Sequence, residues 1–353
     1  MRYFSSPGSK AVKPQYFVNG LYRISWHALL FSTALLGFHA YGQTTSSSSS
    51  SSASAYPDKP VKIVVGFVPG GPTDLYARLA ARALSEQLHQ QVFVENKPGA
   101  SGAIAASAVA SAPADGYTLL VNVVSDIISP VANKNIGYNL VRDFSAIGLI
   151  ASAPNVLVIN PALPVNSVSE LVDYARKNPG VLNYGSAGVG TVSHLAGALL
   201  ETEAQIPLTH IQYKGTNGAQ MDLLSGRISI MFDNLTNGLS HARSGKLKAL
   251  AVTSAQRWAA APELMTMSES GYPASSLLSV FGLVAPAGTP VAVISKLSNA
   301  LTAGLQNQDF RSGLIASGAE PGDMNAERYS KYLIDESLRW ESFLQKHPEI
   351  MKN

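Results

Sequence analysis

From residue 56 onward, short aliphatic runs alternate with longer amphipathic stretches. Residues 61–67, Val-Lys-Ile-Val-Val-Gly-Phe, read as a buried strand. Pro69, Gly70, Gly71 and Pro72 break that run, and Pro72 suits the first turn of a helix. Leu75, Leu79, Ala83 and Leu88 then recur at helical spacing. A second strand is predicted at 92–94, followed by a Gly-rich loop at 96–102 and an alanine-rich helix over about 103–112. Asp115-Gly116 turns the chain into a strand at 117–124. Strand–helix–strand order with strongly apolar strands predicts a parallel, doubly wound sheet.

The middle of the chain repeats the theme. Strands are predicted at 156–159, 182–184, 208–213, 228–232, 248–252 and 280–285. Helices are predicted at 167–177, from 191, at 219–225 and at 238–243. Ser167 followed by Glu170 is a capping box for the first of these. Three further helices, at about 291–305, 308–317 and 326–345, complete the chain. The pattern implies two α/β units, the first completed by the C-terminal helices. The chain is expected to cross between them near 151–156 and to return near 280–285. The predicted boundaries are 56–153 plus 286–353 for one lobe and 154–285 for the other.

Composition narrows the chemistry. The 353 residues contain no cysteine, which excludes disulfides, thiolate nucleophiles and Cys-ligated metals. The net charge of +3 is misleading about partners. Arg2, Lys10, Lys13 and Arg23 precede Tyr56 with no acid among them, leaving 22 basic against 23 acidic residues in the remainder. A near-neutral folded part offers no field for nucleic acid. Those four basic residues lead into an uncharged stretch, 26–40, too short for the roughly 20 residues that span a bilayer comfortably. Small residues at 40–42 and 53–55 offer two cleavage points. Residues 1–55 therefore read as an export signal followed by a linker containing seven serines, 46–52, and a periplasmic protein is expected.

Several ordered segments are similar to the Bug family, the substrate-binding proteins of tripartite tricarboxylate transporters. They include Tyr56-Pro57-Asp58-Lys59-Pro60, Phe67-Val68-Pro69-Gly70-Gly71-Pro72-Thr73-Asp74, Glu95-Asn96-Lys97-Pro98-Gly99 and Ala114-Asp115-Gly116-Tyr117. Further on come Tyr184-Gly185-Ser186-Ala187-Gly188-Val189-Gly190-Thr191-Val192-Ser193-His194, Tyr213-Lys214-Gly215, Phe232-Asp233 and Ala285-Pro286-Ala287-Gly288-Thr289-Pro290. The resemblance implies a two-lobed, type II periplasmic binding protein of Venus-flytrap form. It implies a small carboxylate ligand, possession of no cofactor or metal, no catalytic step, and membrane permease subunits as partners. A monomer is expected.

The candidate ligand-binding residues fall in two loops and a few outliers. Phe67, Gly70, Gly71, Pro72, Thr73 and Asp74 end a strand and open a helix, where unpaired N–H groups and the helix dipole favour an anion. Asp74 is expected to order that loop, because its charge repels an anionic ligand. Ser186, Ala187, Gly188, Gly190, Thr191 and Ser193 form the second loop. It looks like a dinucleotide fingerprint, but Ser193 replaces the third glycine and Ile211-Gln212 occupies the place of the ribose-binding acid. His194 either donates to the ligand or packs locally. Lys214 either charges the cleft or is an ordinary surface lysine. Asp233, ending an apolar strand, either orients a loop or receives a ligand hydroxyl or ammonium group. Ser125 lies in a loop, 125–128, that departs from the family's polar pattern. Asp126 beside it is expected either to disfavour a bulky polyanion such as citrate or to welcome a cationic group.

The competing reading is an exported α/β hydrolase. It requires a Gly-x-Ser-x-Gly elbow, whereas Gly185-Ser186-Ala187-Gly188 has the wrong spacing. Ser193 and His194 are neighbours whose side chains diverge on a helix. The histidines after residue 56 are scattered, and no His-x-x-x-His or phosphate-binding Lys motif occurs. A receptor feeding a signalling pathway, with no permease of its own, is the other alternative.

Overall fold

The computed structural model describes residues 56–351; the expected export signal and serine linker lie outside them. The first elements are β1 (Val61–Val65), α1 (Pro72–Leu88), β2 (Val92–Asn96), α2 (Ala103–Ala110), β3 (Thr118–Val123), α3 (Val124–Ala132) and α4 (Leu140–Asp143). Then follow β4 (Phe144–Ile159), α5 (Val168–Lys177), β5 (Asn183–Ser186), α6 (Val192–Ala204), β6 (Thr209–Gln212), α7 (Thr216–Leu224) and β7 (Ile230–Asn234). The chain ends with α8 (Leu235–Arg243), β8 (Lys248–Val252), β9 (Met265–Thr266), β10 (Leu278–Pro286), α9 (Val291–Gln306), α10 (Gln308–Ala316), β11 (Glu320–Pro321) and α11 (Ala326–Lys346).

The fold is mixed α/β. β1 lies parallel between β2 and β3, with Val65 opposite Asn96 on one side and Val121 on the other. β5 lies parallel between β6 and β7. Two long strands join these sets, and here the sequence-based picture of a purely parallel sheet is corrected. β10 runs antiparallel to β3 and β4, and β4 runs antiparallel to β7 and β8. A chain that leaves along β4 and returns along β10 must reverse direction, so this pair is antiparallel.

β4 is 16 residues long, not the short strand predicted at 156–159. Ser145, Ala146, Gly148 and Ser152 dilute the part before Pro154 and hide it from a hydrophobicity pattern. Its partners change along its length: Phe144 to Pro154 pair with β10, and Asn155 to Ile159 pair with β7. The second correction concerns 125–128, read as loop and found in α3. Val124, Ile127 and Ile128 are buried there, and the Asp126 carboxylate accepts the Val123 N–H at 2.8 Å. Pro130 inside the helix masked it in the sequence.

The strands read as continuous apolar runs because both faces are covered. Ile63, Leu119, Val121, Phe281 and Leu283 share a core with Tyr76, Ala80 and Leu84 of α1, Leu297 and Leu301 of α9, and Phe310 and Leu314 of α10. Alternate residues Val64, Leu120 and Val284 belong to the opposite core, with Ala105 and Ala106 of α2, Ile127 and Ile128 of α3, and Tyr329 and Leu333 of α11. The same alternation splits β4 beyond Asn155. Leu157 and Ile159 join the core that holds α5 and α6, whereas Val156 and Val158 join that of α7 and α8.

Candidate functional site

Four strand-to-helix turns converge on a cavity of about 80 Å³. On a scale of roughly 10–15 Å³ per water, that is room for a small molecule. The first helical residues form much of its wall: Pro72 and Thr73 of α1, Val124 and Ser125 of α3, Val192 and Ser193 of α6, and Thr216 of α7. N–H groups in the first turn of a helix have no intrahelical acceptor, and each helix N-terminus carries roughly half a positive charge. The remaining wall is largely apolar, including Phe67, Val68, Val123, Val280 and Phe281. None of the lining residues is Lys, Arg, His, Asp or Glu. The arrangement therefore attracts an anion through backbone dipoles, without a charged side chain.

The first loop owes its shape to Asp74. Its carboxylate accepts from the Gly70 N–H at 3.0 Å, from Arg78 at 2.9 and 3.0 Å, and from Asn96 at 2.9 Å. Burial pushes the Asp74 pKa up, but the bonds from Arg78, Gly70 and Asn96 outweigh it and hold the group below the usual carboxylate range. Asn96 also donates to the Phe67 carbonyl, so one side chain ties β2 to the end of β1. Gly70 has φ +85°, which a residue with a Cβ adopts only with strain. Asp74 and Gly70 thus shape the loop from behind, and Gly71, Pro72 and Thr73 face the cavity.

The second loop is braced by internal bonds. The Thr191 hydroxyl donates to the Gly188 carbonyl at 2.6 Å, and the Ser193 hydroxyl accepts the Ala187 N–H at 3.0 Å. His194 is fully buried, and its Nδ1 accepts the Gly190 N–H at 3.2 Å. Burial, then the neighbouring His210, pulls the His194 pKa down to about 3, so the ring is neutral. Ser186 is also fully buried; its hydroxyl accepts the Gly188 N–H and lies 2.6 Å from Nε2 of His210. Sequence spacing did not show this Ser186–His210 pair, because β5 and β6 bring the two together by lateral pairing.

Of the sequence-predicted residues, Phe67, Gly71, Pro72, Thr73, Ser125, Ala187, Thr191 and Ser193 line the cavity. Gly70, Asp74, Ser186, Gly188, Gly190, His194, Lys214 and Asp233 are not among its lining residues. Lys214 is exposed, although the adjacent Gly215 and Thr216 reach the cavity. Asp233 is fully buried and accepts from Gln220 and the Asn234 N–H, and burial raises it to about 7. Asp126 faces inward as well: it bonds the Val123 N–H, lies 3.5 Å from the Tyr138 hydroxyl, and is raised by burial to about 7. The expectation that Asp126 screens the ligand is therefore corrected.

Sequence reasoning missed the strand wall, where Asn155, Asn234 and Ser279 line the cavity. The available signal was polarity within otherwise apolar strands, since a polar group there requires a specific partner. Among the described residues no cluster of three metal-ligating side chains occurs.

Fold and cavity together define a solute-binding protein of the periplasmic α/β class. The model of the tripartite tricarboxylate transporter family receptor matches residues 76–348, and the chain belongs to that family. It is similar to the solved periplasmic binding protein BugD, with 37% identity, a TM-score of 0.77, and coverage of 82% of this chain and 98% of BugD. An R. palustris protein solved with adipate is 36% identical, with a TM-score of 0.78 and coverage of 82% and 97%. MatC from Rhodopseudomonas palustris, solved with bound malate, is 31% identical, with a TM-score of 0.77 and coverage of 81% and 99%. The family is one of receptors, and its solved members indicate a periplasmic protein.

Proposed function

We propose that this chain is an extracytoplasmic receptor that captures a small carboxylate between two lobes and delivers it to the permease subunits of a tripartite tricarboxylate-type transporter. The observation that carries the proposal is the convergence of four helix N-termini on a cavity with no charged side chain in its lining. Such a site holds a carboxylate through backbone N–H groups and neutral polar side chains, without a charged partner. The adipate- and malate-bound relatives support this ligand class.

The lobes of the proposal are 56–153 plus 286–353, and 154–285. The change of strand partners between Pro154 and Asn155 supports a hinge there. Capture without chemistry is favoured because Ser186, paired with His210 at 2.6 Å, is fully buried and does not line the cavity. Export of the chain would leave a mature N-terminus near Gln43 or Tyr56, read by mass spectrometry of the periplasmic fraction. The ligand test is calorimetry of stripped, refolded protein with mono-, di- and tricarboxylates. Binding at micromolar concentration or below is expected; a folded protein that binds none of them would refute the proposal.

A further inference from the structure

Besides the helix N-termini, strand residues line the cavity, and two of them, Asn155 and Ser279, have a fixed donor and acceptor pattern. Asn155 sits where β4 changes partners, is nearly buried, and directs its Nδ2 to the Phe232 carbonyl at 2.7 Å. A carbonyl only accepts, so this bond fixes which end of the amide is nitrogen. The amide oxygen therefore points the other way, where Ser279 of β10 donates to it at 2.8 Å. A hydroxyl has one hydrogen, and that of Ser279 is committed to Asn155. Toward the cavity Ser279 presents lone pairs only.

We propose that Ser279, oriented by Asn155, is a specificity-determining acceptor that selects a carboxylate bearing a hydroxyl group. The inference rests on the carboxylate-receptor reading and adds the identity of the second recognised group. Two classes of donor could meet Ser279, a hydroxyl or an ammonium group. The cavity decides between them. Four positive helix ends face it, and no acid lines it; Asp126 and Asp233 are buried and bonded elsewhere. An ammonium group would enter an uncompensated positive field, whereas a hydroxyl adds no charge. An unsubstituted chain leaves the Ser279 acceptor without a partner, which is the costly half of a broken hydrogen bond.

The test compares ligands that differ only in that substituent: malate, succinate and aspartate, and the six-carbon set 2-hydroxyadipate, adipate and 2-aminoadipate. Calorimetry should rank the hydroxyl compound tightest and the amino compound weakest in at least one set. Ser279→Ala should weaken the hydroxyl compound about tenfold and leave the unsubstituted one within about twofold. Ser279→Thr, which keeps the oxygen, should restore the preference, and thermal unfolding should report all variants folded. Asn155→Ala should lower the hydroxyl-to-unsubstituted affinity ratio; an equal loss for every ligand would remove Asn155 from the proposal. Binding with no hydroxyl preference, or equal weakening of both compounds by Ser279→Ala, overturns the proposal and leaves the receptor reading standing. Failure of all six compounds to bind overturns the hydroxyl proposal, and the receptor reading falls with it only if the mono- and tricarboxylates fail as well.

Discussion

Asp126, Asp233 and His194 are buried next to lining residues without lining the cavity themselves, and their protonation acts on stability. Asp126 and Asp233 are raised by burial to about 7, against about 4 for an ordinary aspartate. The folded state keeps their protons to higher pH than the unfolded state does. Their contribution is therefore fully present below about pH 4 and is lost as pH rises through about 7. His194 has the opposite sign: its depressed value makes a contribution that is present above about 6.5 and lost as pH falls toward about 3. Asp126→Asn keeps an oxygen for the Val123 N–H and removes the charge. Its melting temperature relative to the parent should climb between pH 5 and pH 8. A gap that does not change with pH would show that Asp126 ionises in the fold without penalty.

Each helix-opening turn at the cavity depends on how closely the backbone can approach a ligand. Gly71 has ordinary extended geometry, and a methyl built on it would lie 3.8 Å from the Thr216 hydroxyl. A small side chain fits there, but a branched one projects into the cavity. Gly188 differs: at φ +133° its added methyl would meet the Ser101 hydroxyl at 2.4 Å. Gly71→Val should thus lower carboxylate affinity by at least about tenfold, or 1.4 kcal/mol, at near-parental melting temperature. Gly188→Val should cost both affinity and stability. Lys214→Ala, at an exposed position outside the cavity lining, should stay within about twofold of the parent. Abolished binding in Lys214→Ala with intact binding in Gly71→Val would replace the backbone account with a side-chain one. These helix starts were readable as loops rich in glycine and proline. The start of α3 was not, because Pro130 interrupts its pattern and no glycine or proline directly precedes it.

At the scale of the molecule, β4 and β10 are the strands that connect the two parallel sets. The loops that follow β1 and β6, one from each set, already stand near contact: a methyl on Gly215 would lie 3.1 Å from Val68, and one on Gly70 3.8 Å from Asn217. A ligand that bridges these loops should favour their approach over separation. Saturating carboxylate should reduce the radius of gyration measured by X-ray scattering and raise the melting temperature. At a hundredfold excess over Kd the stabilisation is about 2.7 kcal/mol. A ligand that raises the melting temperature with no change in scattering would indicate a rigid receptor and remove the hinge.

Local pattern was enough to determine the α/β class, most helices, most buried strands and the two glycine-rich loops that reach the cavity. Those features depend on residues close together in the chain: periodicity, a proline at a helix start, a glycine where no side chain fits. The tertiary structure decided what depends on distant partners. It made β4 one long strand, turned Asp126 and Asp233 inward, and left Lys214 outside the cavity. It also brought Asn155 and Ser279, 124 residues apart, into one hydrogen bond on the cavity wall. No sequence window contains that pair, because strand register places one beside the other and register is a property of the assembled sheet.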